Sequence, residues 1–146
     1  MKLIFFLCLS VFFLISCTGS DTETKIKPQG KYKYVVKDSV GNKIIEGIFS
    51  FSKPDKSTGL MTCYNEVTNI YEKDSYVAQR FNFASLNAYY NKNSKKIALD
   101  LNPNIQDNNI YVAIDISAAK ISASWIHSTM TGINNQGKIE LNKISN

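Results

Sequence analysis

The sequence predicts an all-β domain, an antiparallel up-and-down β-barrel of about 8–10 strands. Three observations predict it. Apolar residues recur with a period of two in one segment after another, the period of a half-buried strand. Turn-forming residues separate these segments at roughly 8–12-residue spacing, and short links favour hairpins. No stretch carries a helical period of useful length.

In order along the chain, the first predicted strand is 31–37, with Tyr32, Tyr34 and Val36 on one face and lysines on the other. Asp38 and Ser39 suit a turn start, and Val40-Gly41-Asn42 completes the turn. The segment 43–52 sets Ile45, Gly47, Phe49 and Phe51 against Ile44, Glu46, Ile48 and Ser50. Pro54 then denies the ladder a donor and marks 53–56 as a loop. A third strand is expected over 58–64, and 68–72 either continues it or begins another. The stretch 76–83 is expected as a strand, with Val77, Gln79, Phe81 and Phe83 facing one way. Strand 86–90 ends at the turn Asn91-Lys92-Asn93-Ser94.

The clearest alternation follows. Ile97, Leu99 and Leu101 oppose Ala98, Asp100 and Asn102, and Ile110, Val112, Ile114 and Ile116 oppose Tyr111, Ala113, Asp115 and Ser117. One face is aliphatic and the other polar or small, as in a sheet with one side on a core and one in water. Strands over 121–130 and 138–144 complete the series, with 131–136 expected as a loop. Closing such a sheet removes the exposed edges that invite aggregation.

Before this domain the composition is different. After Met1-Lys2, residues 3–15 are apolar except for Ser10, and Leu14-Ile15-Ser16-Cys17 ends the run. A charged start, a short apolar segment and a small residue before a break describe a secretory signal. A run of thirteen residues falls short of the roughly 20 that a membrane helix needs. Leu14-Ile15-Ser16-Cys17 resembles the lipobox of bacterial lipoproteins. That resemblance implies diacylglyceryl modification of the Cys17 thiol, cleavage before Cys17 and usually acylation of the new amino terminus. The expected organisation is a signal peptide over 1–16, a lipidated cysteine and tether over 17–29, and a barrel over 30–146. The tether has almost no apolar residue besides Ile26, and its twelve residues after Cys17 reach roughly 20 Å as a flexible coil. The expected place is the cell envelope, lipid-anchored. Thr18 stands where an aspartate resembles an inner-membrane retention signal in enteric bacteria, which favours the outer membrane in a host that has one.

Of 146 residues, 17 are Lys or Arg and 12 are Asp or Glu. Only Lys2 lies before Cys17, so the remaining 130 residues carry 16 basic and 12 acidic side chains, formally +4. That length supports one domain with a single core. Lys25, Lys27, Lys31, Lys33 and Lys37 crowd the near end of the domain against Asp21 and Glu23. A chain tethered outside the cytoplasm excludes nucleic acid as the natural partner, whereas lysines near anionic headgroups each gain about 1 kcal/mol. The other account of these lysines is the solvated face of a strand. With Cys8 in the signal and Cys17 modified, Cys63 stands alone, and a buried small hydrophobe is its expected role.

A second resemblance concerns the fold. Gly30-Lys31-Tyr32 is similar to the Gly-x-Trp start of lipocalins, with Tyr32 in place of the tryptophan. Ser124-Trp125, Gly132 and Gly137-Lys138-Ile139 resemble the closing hairpin of small lipocalin-like and avidin-like bacterial lipoproteins. Arg80, the only arginine, lies mid-chain and not at the late position that lipocalins use. The resemblance implies a lipocalin-like barrel, and the inward aromatic residues raise the expectation that it holds a small, partly apolar ligand.

Catalytic chemistry finds little support. His127 is the only histidine, so sites needing two are excluded, and Cys63 with His127 gives too few ligands for zinc. Cys63 with His127 as nucleophile and base lacks any local elbow. Asp100 and Asp115 are a conceivable carboxylate pair, but both belong to the outer face. Asp107 in the 103–109 loop lacks a second spaced carboxylate for calcium. No cofactor is implied, and the expectation is a non-enzyme. The candidate ligand residues are Tyr32, Tyr34, Trp125 and His127, aromatic groups with polar tips. A competing expectation has these rings filling the core while the outer surface binds an envelope protein. Inhibitors of cell-wall hydrolases are small β-barrel lipoproteins, but Ser57-Thr58-Gly59-Leu60-Met61 does not match their Ser-Gly-x-x-Tyr loop.

Overall fold

A computed structural model of the chain describes residues 26–105 and 107–145. The signal, Cys17 and the tether up to Lys25 lie outside the described residues. Eight strands, β1 (Gly30–Lys37), β2 (Lys43–Phe51), β3 (Leu60–Ile70), β4 (Ser85–Asn91), β5 (Lys96–Asp100), β6 (Asn109–Asp115), β7 (Ser122–Thr129) and β8 (Gly132–Ser145), form a closed barrel in sequence order. Each strand pairs antiparallel with the next, and β1 closes on β8 over Lys31–Ser145 to Lys37–Lys138. The expected up-and-down barrel is therefore the fold, at the lower end of the expected strand number.

The alternation seen in the sequence sets the walls. Tyr32, Tyr34 and Val36 of β1, Ile45, Phe49 and Phe51 of β2, Ile97 and Leu99 of β5, and Ile110, Val112 and Ile114 of β6 are all buried. A one-residue slip would turn each of these sets into water, so burial fixes the register. Aromatic rings make up the centre on the β1–β2 side. Tyr34 stacks on Phe49 with centroids 4.1 Å apart, and Tyr32 meets Phe51 edge-on at 5.6 Å.

Residues 76–83 are not a strand. Tyr76–Phe81 form a six-residue helix, α1, which buries Val77, Ala78 and Phe81. Positions i, i+1 and i+4 share one side of a helix, and a strand would have turned Ala78 outward. Six residues are too few for a helix to be stable alone, and Ser75 contributes no side-chain cap. Packing holds it instead. Phe81 is fully buried, with its ring 6.1 Å from Tyr34 and 6.4 Å from Phe49, so α1 plugs one end of the barrel.

Residues 68–70 continue β3, one of the two courses the sequence left open. Another strand boundary does differ from expectation. The stretch 132–136, expected as a loop, belongs to β8, which reaches back to a two-residue turn at 130–131. There Ile133 pairs with Ser128 and Asn135 with His127. All of 132–136 is exposed, so no alternation of burial marks it.

Candidate functional site

The two ends of the barrel are built from different connections. The end at which β1 begins carries the links 52–59, 92–95 and 116–121 together with both ends of the described chain. The far end carries 38–42, the long link 71–84 that includes α1, 101–108 and the turn 130–131.

The four predicted ligand residues are all buried, and each spends its polar atom on the protein. Tyr32 donates its hydroxyl to the Lys27 carbonyl at 2.6 Å, closing the end at which β1 begins. Burial, with Tyr90 nearby, pushes its pKa up to about 12. Tyr34 donates to Asn65 Oδ1 at 2.9 Å, and burial likewise raises its hydroxyl far above the ordinary phenol value. Trp125 Nε1 donates to the Lys37 carbonyl at 2.8 Å. His127 stacks on Tyr76 with centroids 4.8 Å apart, and its Nε2 meets Asn108 Oδ1. Trp125 and His127 do share the inward face of β7, as the sequence suggests. The four nevertheless do not converge on one cavity, because Tyr32 and His127 serve opposite ends of the barrel.

Glycines make room for two of these rings. A Cβ at Gly47 would come within 2.7 Å of the Tyr34 hydroxyl, and one at Gly137 within 2.6 Å of Trp125 Nε1. Close backbone approach is what Gly supplies here. Asn65 is the residue that sequence reasoning missed. It accepts from Tyr34 and donates its amide to the Phe81 carbonyl, so it ties β1, β3 and the end of α1 together.

The other candidate chemistry is dispersed. Cys63 is fully buried, and desolvation raises its thiol well above its ordinary value, the reverse of an activated nucleophile. Its only hydrogen-bond partner among the described residues is the Tyr64 carbonyl. Asp100 faces Tyr111 and Asp115 faces Lys96 at opposite ends of the β5–β6 ladder. Four residues of strand separate the two carboxylates by roughly 13 Å. Asp107 accepts from the Asn108 and Met130 backbone amides, pinning one loop to the next turn. Among the described residues, no group of three or more His, Cys, Asp and Glu side chains is placed to hold a metal.

What the barrel offers instead is a trough on its outer wall, about 760 Å³ in volume. Register builds it. Tyr89, Ala98, Ala113 and Ser124 stand opposite one another across four adjacent strands, β4 to β7. All four face outward and are exposed. Three small side chains in a row make the floor, and Tyr89 stands at one end. The neighbouring row holds Asp100, Tyr111 and Ile126. Asn109 fixes this rim, donating to the Tyr111 hydroxyl at 3.1 Å and lying 3.5 Å from Asp100 Oδ2. Tyr89 and Tyr111 keep 58% and 41% of their surface in water, which leaves both rings free for contact. A second concavity, about 980 Å³, lies on the wall of β6 to β8 beside Ile26, Lys120 and Ile121. None of Tyr32, Tyr34, Trp125 or His127 lines either one.

No family model, no curated protein and no solved structure matches this chain.

Proposed function

We propose that the chain is an envelope lipoprotein, anchored to the membrane through acylated Cys17, whose lipocalin-like barrel is a non-enzymatic binding module working through its outer wall. The observation that carries the anchor is Cys17 standing directly after Leu14-Ile15-Ser16 at the end of the apolar run. Two acyl chains or more hold firmly where one is marginal. The outer membrane is the proposed location in a host with two membranes, because Thr18 follows the cysteine.

The outer wall is favoured over the barrel interior for a physical reason. The buried polar tips of Tyr32, Tyr34 and Trp125 already have protein partners. A ligand displacing them would leave buried groups unsatisfied, at about 1–3 kcal/mol each. The trough imposes no such cost, and aromatic residues are enriched where proteins bind proteins. An envelope protein is therefore the preferred partner. A small, partly apolar ligand is the second reading, favoured by a trough volume inside the usual range for small-molecule sites.

Capture from host envelope extract tests both. The lipidated protein should retain a specific protein partner, and Ala113→Arg, which fills the trough floor from an exposed position, should lose it. A small molecule retained by the parent and lost by Ala113→Arg selects the second reading. Equal retention of every bound species by the two proteins would remove the outer wall from consideration.

A further inference from the structure

Charge is distributed along the barrel axis in a way the sequence order conceals. Among the described residues, the end at which β1 begins, taken with its strand termini, gathers nine lysines: Lys27 from the segment before β1, Lys31 from β1, Lys143 from the last strand, and six more from three separate links and their flanks. Of the described carboxylates only Asp55 and Asp115 oppose them there. The far end, counted the same way, has four cations and five carboxylates.

The two carboxylates at the basic end are already engaged. Asp55 takes the Ser57 and Thr58 hydroxyls and backbone amides, which hold it far below the usual carboxylate range. Asp115 takes the Ser117 hydroxyl and amide and pairs with Lys96 at 3.8 Å. The remaining eight lysines have no salt-bridge partner among the described residues. Six of these eight are exposed. Lys143 is the crowded one: partial burial and the neighbouring Lys27 charge lower its pKa. The eight residues of β1 span roughly 26 Å, about three Debye lengths at physiological salt, so the two ends act as separate electrostatic surfaces.

We propose that this basic end docks on the anionic headgroups of the membrane that holds the Cys17 lipid. The proposal rests on the anchoring put forward above and adds an orientation to it. Position supplies the argument for a lipid surface as occupant. Only eight residues separate Cys17 from the start of the described chain at Ile26, and that chain enters the barrel at the basic end. Fully extended, the nine Cα-to-Cα steps from Cys17 to Ile26 span at most about 30 Å. The anchored barrel thus presents its lysines to the headgroups, and clusters of 4–8 lysines beside an anchor are the usual signature of anionic lipid binding. The far end and the outer trough are left facing away from the lipid. In this arrangement the tether delivers the barrel, and the lysines from the 52–59, 92–95 and 116–121 links hold it upright.

The test uses the full chain carrying Cys17→Ala, so that no acyl chain contributes, and its sedimentation with vesicles. Each lysine brought to an anionic surface strengthens binding about fivefold. The protein should partition at least tenfold better onto vesicles of phosphatidylglycerol and phosphatidylcholine than onto phosphatidylcholine alone, and high salt should abolish the difference. The apolar segment 3–15 contributes equally to both lipids and cancels in the comparison. Replacing Lys53, Lys56, Lys92 and Lys120 by Ala should erase most of the preference, while Lys43→Ala with Lys73→Ala at the far end should keep it. Far-ultraviolet circular dichroism checks folding, and Lys92→Gln with Lys120→Gln, both at exposed loop sites, serves should the fourfold variant not fold. Equal partition onto both lipids, or equal loss from the two ends, overturns the proposal. Failure of the anchor itself would show separately, as absent palmitate labelling of the wild-type chain.

Discussion

The Tyr34 hydroxyl donates to Asn65 Oδ1 at 2.9 Å across the β1 and β3 sides of the barrel, and the same Asn65 amide donates to the Phe81 carbonyl at the end of α1. One half-buried side chain thus satisfies a buried phenol and caps the plug. Replacing Asn65 by Ala strands both partners, each at about 1–3 kcal/mol. Urea melts should show Asn65→Ala destabilised by at least about 2 kcal/mol. With Tyr34→Phe the two changes should be non-additive by about 0.5–3 kcal/mol, as for groups in one network. Additive losses would mean that the hydrogen bond carries no weight.

Gly137 makes a second sharp prediction. An added methyl would meet Trp125 Nε1 at 2.6 Å and also press on the Lys37 carbonyl that the indole binds. Backbone cannot swing aside as a surface side chain does. Gly137→Ala should cost about 1–3 kcal/mol by overpacking, and the emission of Trp125, the only tryptophan, should shift to the red as its site opens. An unchanged melt and spectrum would show that the indole has slack.

Alkali should unfold the barrel earlier than its surface charges alone would. Tyr32 is raised from 10.0 to about 12, Tyr34 is raised further, and Cys63 is raised above its ordinary 9.0. Burial is the leading cause in all three. In each case the folded state holds its proton more tightly, so the unfolded state binds fewer protons as pH rises. The associated stability is complete below the unfolded values and drains away above pH 9–10, by about 1.4 kcal/mol per pH unit for each group once the unfolded form has ionised. Melting temperature measured between pH 8 and 11 should fall progressively, and Tyr34→Phe should flatten the slope. A flat profile across that window would contradict the burial of these groups.

Much of this fold is legible in the sequence, because strands with one wet face announce themselves. β1, β5 and β6 carry their predicted inward sets buried, and so does β2, where Ile44 of the opposite set is buried as well. The helix at Tyr76–Phe81 is not legible by period. Six residues hold fewer than two turns, and Val77, Gln79, Phe81 and Phe83 fit a strand as well as Val77 and Phe81 fit a helix face. Lys73-Asp74-Ser75 before it is the one available start signal, since Asp and Ser favour helix N-termini. The tail of β8 is hidden for the opposite reason: Ile133 to Gln136 is wet on both faces and has no alternation to show.

The outer trough illustrates a further limit. Ala98, Ala113 and Ser124 each look like unremarkable outward positions on three different strands. Only the register that sets them side by side makes a floor of them. The basic end is concealed in the same way, since Lys53, Lys92 and Lys120 meet through topology and not through sequence proximity. Lysines near Cys17 can be counted from the sequence, but their companions from the three links cannot be placed without the closed barrel.

The lipid proposed on Cys17 is what would fix this barrel in the envelope. Palmitate labelling with fractionation of the host, comparing wild type with Cys17→Ala, reads out that anchor. The wild-type chain should label and pellet with membranes, and Cys17→Ala should lose the label and move to the soluble envelope fraction. A Cys17→Ala chain that still labels and still pellets would contradict the account.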